Sequence, residues 1–322
     1  MTARKYLLLA AKVGVSGLLL WFVLTRVDGA DIVARLRATD VRWLLPMLAL
    51  APLTILLSAW RWRLLSLGLL GFGEAVRYTW IGLFFGSILP GVVGGDVAKG
   101  LSLAARDPRA RDSRLPVSII VDKIVGLWTL IALFILAALL LLATQPQLLA
   151  GMRGAVWLAA LIGVGGLIGG VGLCHPKGAT VLSSIVNRLP FAPVRRIAAK
   201  IAAAIASYGG QGRTLATAAA ISVAVHVLNA LGFWLAMHSL AVPATPLFAA
   251  VFYPMLSVLL ALPVSISGVG VRDVFSAAMF AAFGLSPEAG VAFSWLQLGL
   301  SVPVALVGGL IQLWEVVARK KP

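Results

Sequence analysis

Long apolar runs recur from one end of the chain to the other, and polar residues fall between them rather than alternating within them. Runs at 6–25, 43–60, 116–143, 155–174, 214–239 and 289–313 each read as one spanning helix. About 20 apolar residues suffice, because a helix of that length covers the roughly 30 Å of hydrocarbon in a bilayer. Two further apolar segments, 75–98 and 247–283, carry Pro and Gly near their middles. Proline deletes a helical hydrogen bond and glycine loosens the backbone, so each segment is predicted to bend sharply and return to the side it left. The expected fold is an all-α polytopic membrane protein with about six membrane-spanning helices and two re-entrant helical hairpins.

Composition agrees with the pattern. The chain has 322 residues, 61% of them hydrophobic and only 12% charged, with a mean hydropathy of +1.00. A soluble domain of this length does not have that composition. The formal net charge of +16 is therefore read as basic loops facing anionic lipid headgroups, and not as a nucleic-acid surface. The first run ends in T-R-V-D without a small-x-small cleavage site, which favours a retained span over a signal peptide. The single cysteine, Cys174, forms no internal disulfide, and no two histidines share a metal-ligand spacing, so no metal or other cofactor is expected.

Lys and Arg set the expected orientation. The basic clusters are Arg4, Lys5 and Lys12; Arg61, Arg63 and Arg77; the stretch 99–114; the stretch 175–213; and Arg319 to Lys321. All fall on one side if segment 75–98 is re-entrant, and that side then holds twenty of the 27 basic residues. It should be the cytoplasm, with both termini there, and the location a bacterial-type inner membrane. The uncharged loop 240–246 then lies outside, so segment 247–283 enters and leaves from the outer face.

Two hairpins entering from opposite faces are what an inverted repeat produces. The chain is accordingly expected to be one integral membrane domain, 1–322, with a first repeat over about 1–144 and a second over about 155–315. L-P-G-V-V-G-G-D-V-A-K at 89–99 and L-P-V-S-I-S-G-V-G-V-R-D at 262–273 are counterparts. Between the repeats, 179–208 places Arg195, Arg196 and Lys200 near one helical face and Ile197, Ile201 and Ile205 near another. It reads as an amphipathic connector on the inner leaflet, and 29–42 is a weaker case of the same kind.

The candidate chemistry lies where the apolar pattern breaks. Pro90, Gly91, Gly94 and Gly95 in the first hairpin, and Pro263, Gly268 and Gly270 in the second, would shape the backbone. Asp96 is a plausible N-cap, with Lys99 three residues on. Arg272-Asp273 occupies the equivalent place in the second hairpin, and Asp122-Lys123 interrupts the third span. Charges near the bilayer core are costly unless paired or hydrated, so these six should face one another or a cavity. Ion pairs that only pin the hairpins to the bundle would satisfy that requirement. So would a site in which Lys99, Lys123 and Arg272 bind an anionic headgroup while Asp96, Asp122 and Asp273 hold those bases or carry a proton. His226 and Asn229 read as interhelical hydrogen-bonding groups, His175 and His238 as interfacial, and Glu315 as belonging to the inner interface.

The three stretches S-I-L-P-G-V-V-G-G-D-V-A-K, S-I-I-V-D-K-I-V-G-L and L-P-V-S-I-S-G-V-G-V-R-D, in this order, resemble the transmembrane region of the lysylphosphatidylglycerol synthases, the flippase-like membrane proteins. The resemblance covers nearly the whole chain and is to a stand-alone member, without the soluble synthetase domain that fused members carry. It implies lipid translocation and a pair of re-entrant elements, with Pro90, Gly94, Gly95, Asp96, Asp122, Gly268, Gly270 and Arg272 as the matching positions. Ser87, Lys99, Lys123 and Asp273 depart from the Asn, Arg, Arg and Glu the resemblance leads one to expect. Lysine keeps the charge but loses the bidentate fork with which arginine grips phosphate.

Three functions stay open at this point. The first is a translocase for a phosphate-bearing lipid or a polyprenyl-phosphate-linked substrate, driven by a gradient or by nothing, since the nucleotide pattern G-x-x-x-x-G-K-[ST] is absent. The second is an intramembrane enzyme using Asp96 or Asp122 as a base. The third is a binding partner for a separate lipid-modifying enzyme.

Overall fold

The computed structural model describes residues 3–88, 93–104, 114–145, 208–261 and 268–318, together with the single positions 195, 199 and 265. Among them are ten helices and no strand. They are α1 (Ala3–Leu24), α2 (Gly29–Arg37), α3 (Val41–Leu65), α4 (Phe72–Ile88), α5 (Val93–Ala104), α6 (Arg114–Thr144), α7 (Gly212–Ser239), α8 (Pro246–Ala261), α9 (Val271–Ala282) and α10 (Pro287–Ala318). The expected span at 155–174 and most of the connector at 179–208 lie outside the described residues.

Four helices, α3, α6, α7 and α10, are long and apolar enough to cross a membrane. Counting α1 with α2 as one broken span, bent by 91°, makes five. The chain is a multi-pass membrane protein. The bend after α1 has a local cause: the Ala30 amide donates to Asp28 Oδ1 at 2.8 Å, so Asp28 caps α2 and starts a new helix in a new direction. Asp31 then pairs with Arg35 one turn on at 2.8 Å, and the buried face of α2, at Ile32, lies on α10. Asp40 caps α3 in the same way, accepting from the Arg42 amide at 2.9 Å.

The two segments expected to bend each become a pair of short helices. At 17 and 12 residues, α4 and α5 are too short to cross singly, since about 20 residues are needed. Gly86 lies opposite Gly95, and Gly82 lies opposite both Gly95 and Lys99, a pairing that runs backwards along the chain and makes α4 and α5 antiparallel. A Cβ at Gly95 would strike the Gly82 carbonyl and come within 3.1 Å of Gly86 Cα. Glycine is required here because the two backbones touch. In the second pair, Phe248 stacks near Phe283 (4.6 Å) and Phe280 (5.4 Å), and Phe252 near Phe275 (5.6 Å), again antiparallel. Gly268 and Gly270 enter α9 with φ of +78° and +81°, a conformation that disfavours any residue with a Cβ.

Several contacts between elements come in corresponding pairs. Helix α3 lies along α7. Helix α4 packs on α5 and α10, as α8 packs on α9 and α6. Helix α3 touches α4 and α6, as α7 touches α8 and α10. The α4–α10 contact is again close: a Cβ at Gly308 would strike the Trp80 carbonyl, and one at Gly309 the Phe84 ring. The largest buried apolar cluster gathers Met237, Phe248, Phe252, Phe280 and Phe293 from α7, α8, α9 and α10.

Candidate functional site

Helix α6 supplies one wall of the site. Ser118, Asp122 and Gly126 stand four residues apart and therefore share a face. Asp122 receives a fork from Arg61 of α3, with Nε donating to Oδ1 at 2.7 Å and one terminal nitrogen to Oδ2 at 3.0 Å. The other terminal nitrogen donates to Ser222 Oγ of α7 at 2.8 Å. Gly126 leaves space for this guanidinium, which lies 3.3 Å from where its Cβ would be. Both partners are buried, Arg61 at 8% and Asp122 at 6% exposure. A buried charge pair is tolerable only with such good geometry and satisfied hydrogen bonds.

The neighbouring residue extends the wall. Trp62 donates from Nε1 to Ser118 Oγ at 3.0 Å, and its ring carries the Lys99 ammonium 3.4 Å from the centroid. Lys99 is 5% exposed, so this is a desolvated cation–π contact. Lys123 turns the other way on α6 and meets Asp96 of α5 at 3.0 Å. That pair is more open, with side-chain exposures of 51% and 22%. Behind the wall, His226 Nε2 donates to the Gly126 carbonyl at 2.9 Å. The Tyr253 hydroxyl then donates to Nδ1 at 3.0 Å, the arrangement a neutral imidazole requires. His226 thus ties α7 to both α6 and α8, as its placement in the fifth span predicts.

These side chains surround a cavity of about 430 Å³ lined by Arg61, Asp96, Lys99, Asp122 and Lys123. A second cavity of about 410 Å³ holds Arg272. The two share the walls Gly86, Ser87, Ser301 and Ala305, so they adjoin each other between α4–α5, α10 and the start of α9. A third cavity, of about 230 Å³, opens from the first along Thr54, Asn229 and Ser301.

The six charged residues expected to act together are therefore brought together in part. Asp96, Lys99, Asp122 and Lys123 line one cavity, and Arg272 lines the adjoining one. Three placements differ from expectation. Asp122 holds Arg61, which is not one of the three candidate cations. Asp273 lines neither cavity: it accepts from the Gly270 amide at 2.9 Å and from the Ser294 hydroxyl, so it closes the first turn of α9. Asp96 is not an N-cap, because α5 already begins at Val93 and puts it one turn inside. Gly94, Gly95, Gly268 and Gly270 sit at the helix starts as expected. Pro90, Gly91, Pro263 and His175 lie outside the described residues.

Arg61 is the residue that sequence reasoning misplaced. It was counted among the loop charges, whereas α3 continues to Leu65 and turns it inward. A signal was present: Thr54, Ser58 and Arg61 fall on one helical face of an otherwise apolar span, and all three line the first cavity. Arg77, counted in the same loop, lies in α4 and pairs with Glu315 of α10 at 3.0 Å.

Neither the curated proteins nor the solved structures include one that matches this chain. The profile of the family described as the lysylphosphatidylglycerol synthase TM region matches residues 9–308. With that match over nearly its whole length, the chain belongs to the lysylphosphatidylglycerol synthase TM region family.

Proposed function

We propose that this protein is a lipid translocase of a bacterial-type inner membrane, a transporter rather than an enzyme, with both termini in the cytoplasm. In this reading α4–α5 and α8–α9 are re-entrant hairpins that enter from opposite faces, and the chain is one domain built as an inverted repeat. The mirrored packing supports the repeat: exchanging α3 with α7, α4 with α8, α5 with α9 and α6 with α10 turns α4–α10 contact into α8–α6 contact. Pairs of short broken helices at corresponding positions of two halves are where transporter sites form.

The observation that carries the reading is the groove. The cavity holding Lys99 and Lys123 and the cavity holding Arg272 share the walls Ser87 and Ser301, so a phosphate has cationic partners on both sides of a hydroxyl-lined threshold. Lys123 and Arg272 receive the phosphate at either end, and Lys99 neutralises it between them. Asp96 keeps Lys123 in place. Acyl tails remain in the bilayer while the headgroup slides. The partner is an anionic membrane lipid or a polyprenyl-phosphate-linked substrate, and a separate enzyme would supply any modified form.

The test is headgroup movement in proteoliposomes containing a fluorescent phosphate-bearing lipid, for the parent protein and for Lys99→Ala and Arg272→Ala. Removing a cation from a low-dielectric phosphate site costs about 1.5–3 kcal/mol, so each variant should move headgroups roughly tenfold or more slowly. Rates equal to the parent's in both folded variants overturn the proposal.

A further inference from the structure

Lys99 is a buried cation of the first cavity, and it is held differently from the cations beside it. Arg61 is forked onto Asp122, and Lys123 is paired with Asp96. The two carboxylates that line the cavity are thus taken by other partners. The Lys99 ammonium lies over the Trp62 ring, 3.4 Å from its centroid. A carboxylate and a ring both stabilise an ammonium that has left water, but they leave different fields behind. A carboxylate cancels the charge, and an incoming anion has to displace it. A ring attracts the cation through its quadrupole and carries no net charge, so the positive field still reaches into the cavity.

The ring is fixed for this contact. Arg61 and Trp62 are adjacent on α3 and point about 100° apart, so one turn of helix serves Asp122 with the first and Lys99 with the second. Trp62 is fully buried, packed with Ala59, Tyr78, Ile81 and Leu103. Its Nε1–H donates to Ser118 Oγ of α6 at 3.0 Å. The Ser118 hydroxyl itself donates to the Leu115 carbonyl at 2.7 Å, which leaves its oxygen to accept and sets the rotation of the indole. Lys99 is steered from the other side by α4. Its stem runs along Gly82, where an added Cβ would stand 3.4 Å from Lys99 Cβ and 3.7 Å from Cδ. Trp62 lines none of the three cavities, so its route to a bound headgroup runs through Lys99.

Resting on the translocase reading, we propose that Trp62 is a positioning residue: its ring face holds the Lys99 ammonium at the cavity with the charge uncancelled, and Ser118 sets the angle of that face. Weakening the attraction frees the ammonium to turn to Asp96 or Asp122, which line the same cavity, and capture of an anionic headgroup falls.

The test replaces Trp62, by site-specific incorporation, with tryptophans of increasing fluorination. Fluorine drains electron density from the ring face while keeping the indole N–H and nearly the same shape, so the cation–π attraction falls stepwise with the fold intact. Binding of phosphatidylglycerol to the full chain in detergent is measured at each step, per folded molecule. Affinity should fall steadily along the series, by about tenfold at its end, the effect of losing a desolvated cation–π contact. In a Lys99→Met background binding should be weaker and equal at every step, because no cation is left for the ring to hold. Ser118→Ala should cause a smaller loss in the parent and none in Lys99→Met. Equal affinities along the series in the parent, or the same decline in Lys99→Met, overturn the proposal. A parent that binds no phosphatidylglycerol overturns it as well. The translocase reading fails separately, if the parent shows the fluorine dependence in binding yet moves no headgroup in proteoliposomes.

Discussion

Between α4 and α5 the closest approach is backbone to backbone, at Gly82, Gly86 and Gly95. Between α8 and α9 it is ring to ring, at Phe248, Phe252, Phe275, Phe280 and Phe283. Glycine contacts occupy no side-chain volume, so the flanks of the first pair are available for Asp96 and Lys99 to reach the cavity. Interlocked rings fill the second pair, and among the described residues it reaches the cavity at its tip, through Leu260, Ser265, Gly268 and Arg272. The first pair gives the groove two charged side chains, Asp96 and Lys99, and the other is scaffold with a single cation at its tip. The charges of the first pair depend in turn on α3 and α6, whose Arg61–Asp122 fork holds the wall against which Lys99 rests.

The largest expected effect comes from breaking that wall. Asp122→Ala leaves the Arg61 guanidinium buried with Ser222 as its remaining hydrogen-bond partner, and removing one member of a buried pair costs about 3–5 kcal/mol. Thermal unfolding in detergent should show a large loss of stability. The double variant Arg61→Met/Asp122→Leu should recover most of it, because it removes both charges and keeps the volume. If Asp122→Ala unfolds at the parent's temperature, the fork is not what holds α3 to α6.

Those two residues also mark how far the sequence could be read. The interruptions of segments 75–98 and 247–283 were legible because proline and glycine within an apolar run have a local meaning, and Asp122 was legible because a carboxylate inside an apolar run must be satisfied. Its partner was not legible. Arg61 lies 61 positions away, and a count of basic residues by loop cannot separate a charge that anchors topology from one that turns into the bundle. Lys123, its neighbour in the chain, turns to Asp96 instead, since adjacent residues on a helix point about 100° apart. Asp273 failed for the opposite reason. Three residues after Gly270, its capping geometry is local, but its charge drew attention to Arg272 instead. The aromatic cluster was visible only as apolar residues, because ring contacts across α7 to α10 depend on tertiary register.

A matched pair of substitutions sharpens the contrast between the hairpins. Gly95→Val drives side-chain atoms into the Gly82 carbonyl and Gly86. Overpacking of this kind costs about 1–3 kcal/mol, and it should also displace Asp96 and Lys99 and so reduce headgroup movement. Phe252→Leu keeps most of the apolar volume but loses edge-to-face contacts with Phe280 and Phe293. Each such contact is worth about 0.5–1.5 kcal/mol. Its effect should fall on stability and spare the rate per folded molecule. Unfolding temperatures set beside proteoliposome rates separate the two. Equal losses of rate per folded molecule would remove the distinction between a working hairpin and a supporting one.

The smallest effect on stability, and the most telling for function, is expected from Lys123→Gln. Its ion pair with Asp96 is half-exposed on the lysine side, at 51%, and pairs in such settings contribute about 0.2–1 kcal/mol. Thermal unfolding should barely change. Yet Lys123 is an exposed cation of the cavity and Lys99 a buried one. A cation there affects capture of an anionic headgroup more than its passage. Headgroup movement should therefore fall mainly at low lipid concentration, and rising salt should slow the parent more than the variant, because screening removes what the variant already lacks. A variant as salt-sensitive as the parent would place the capturing charge elsewhere on the groove.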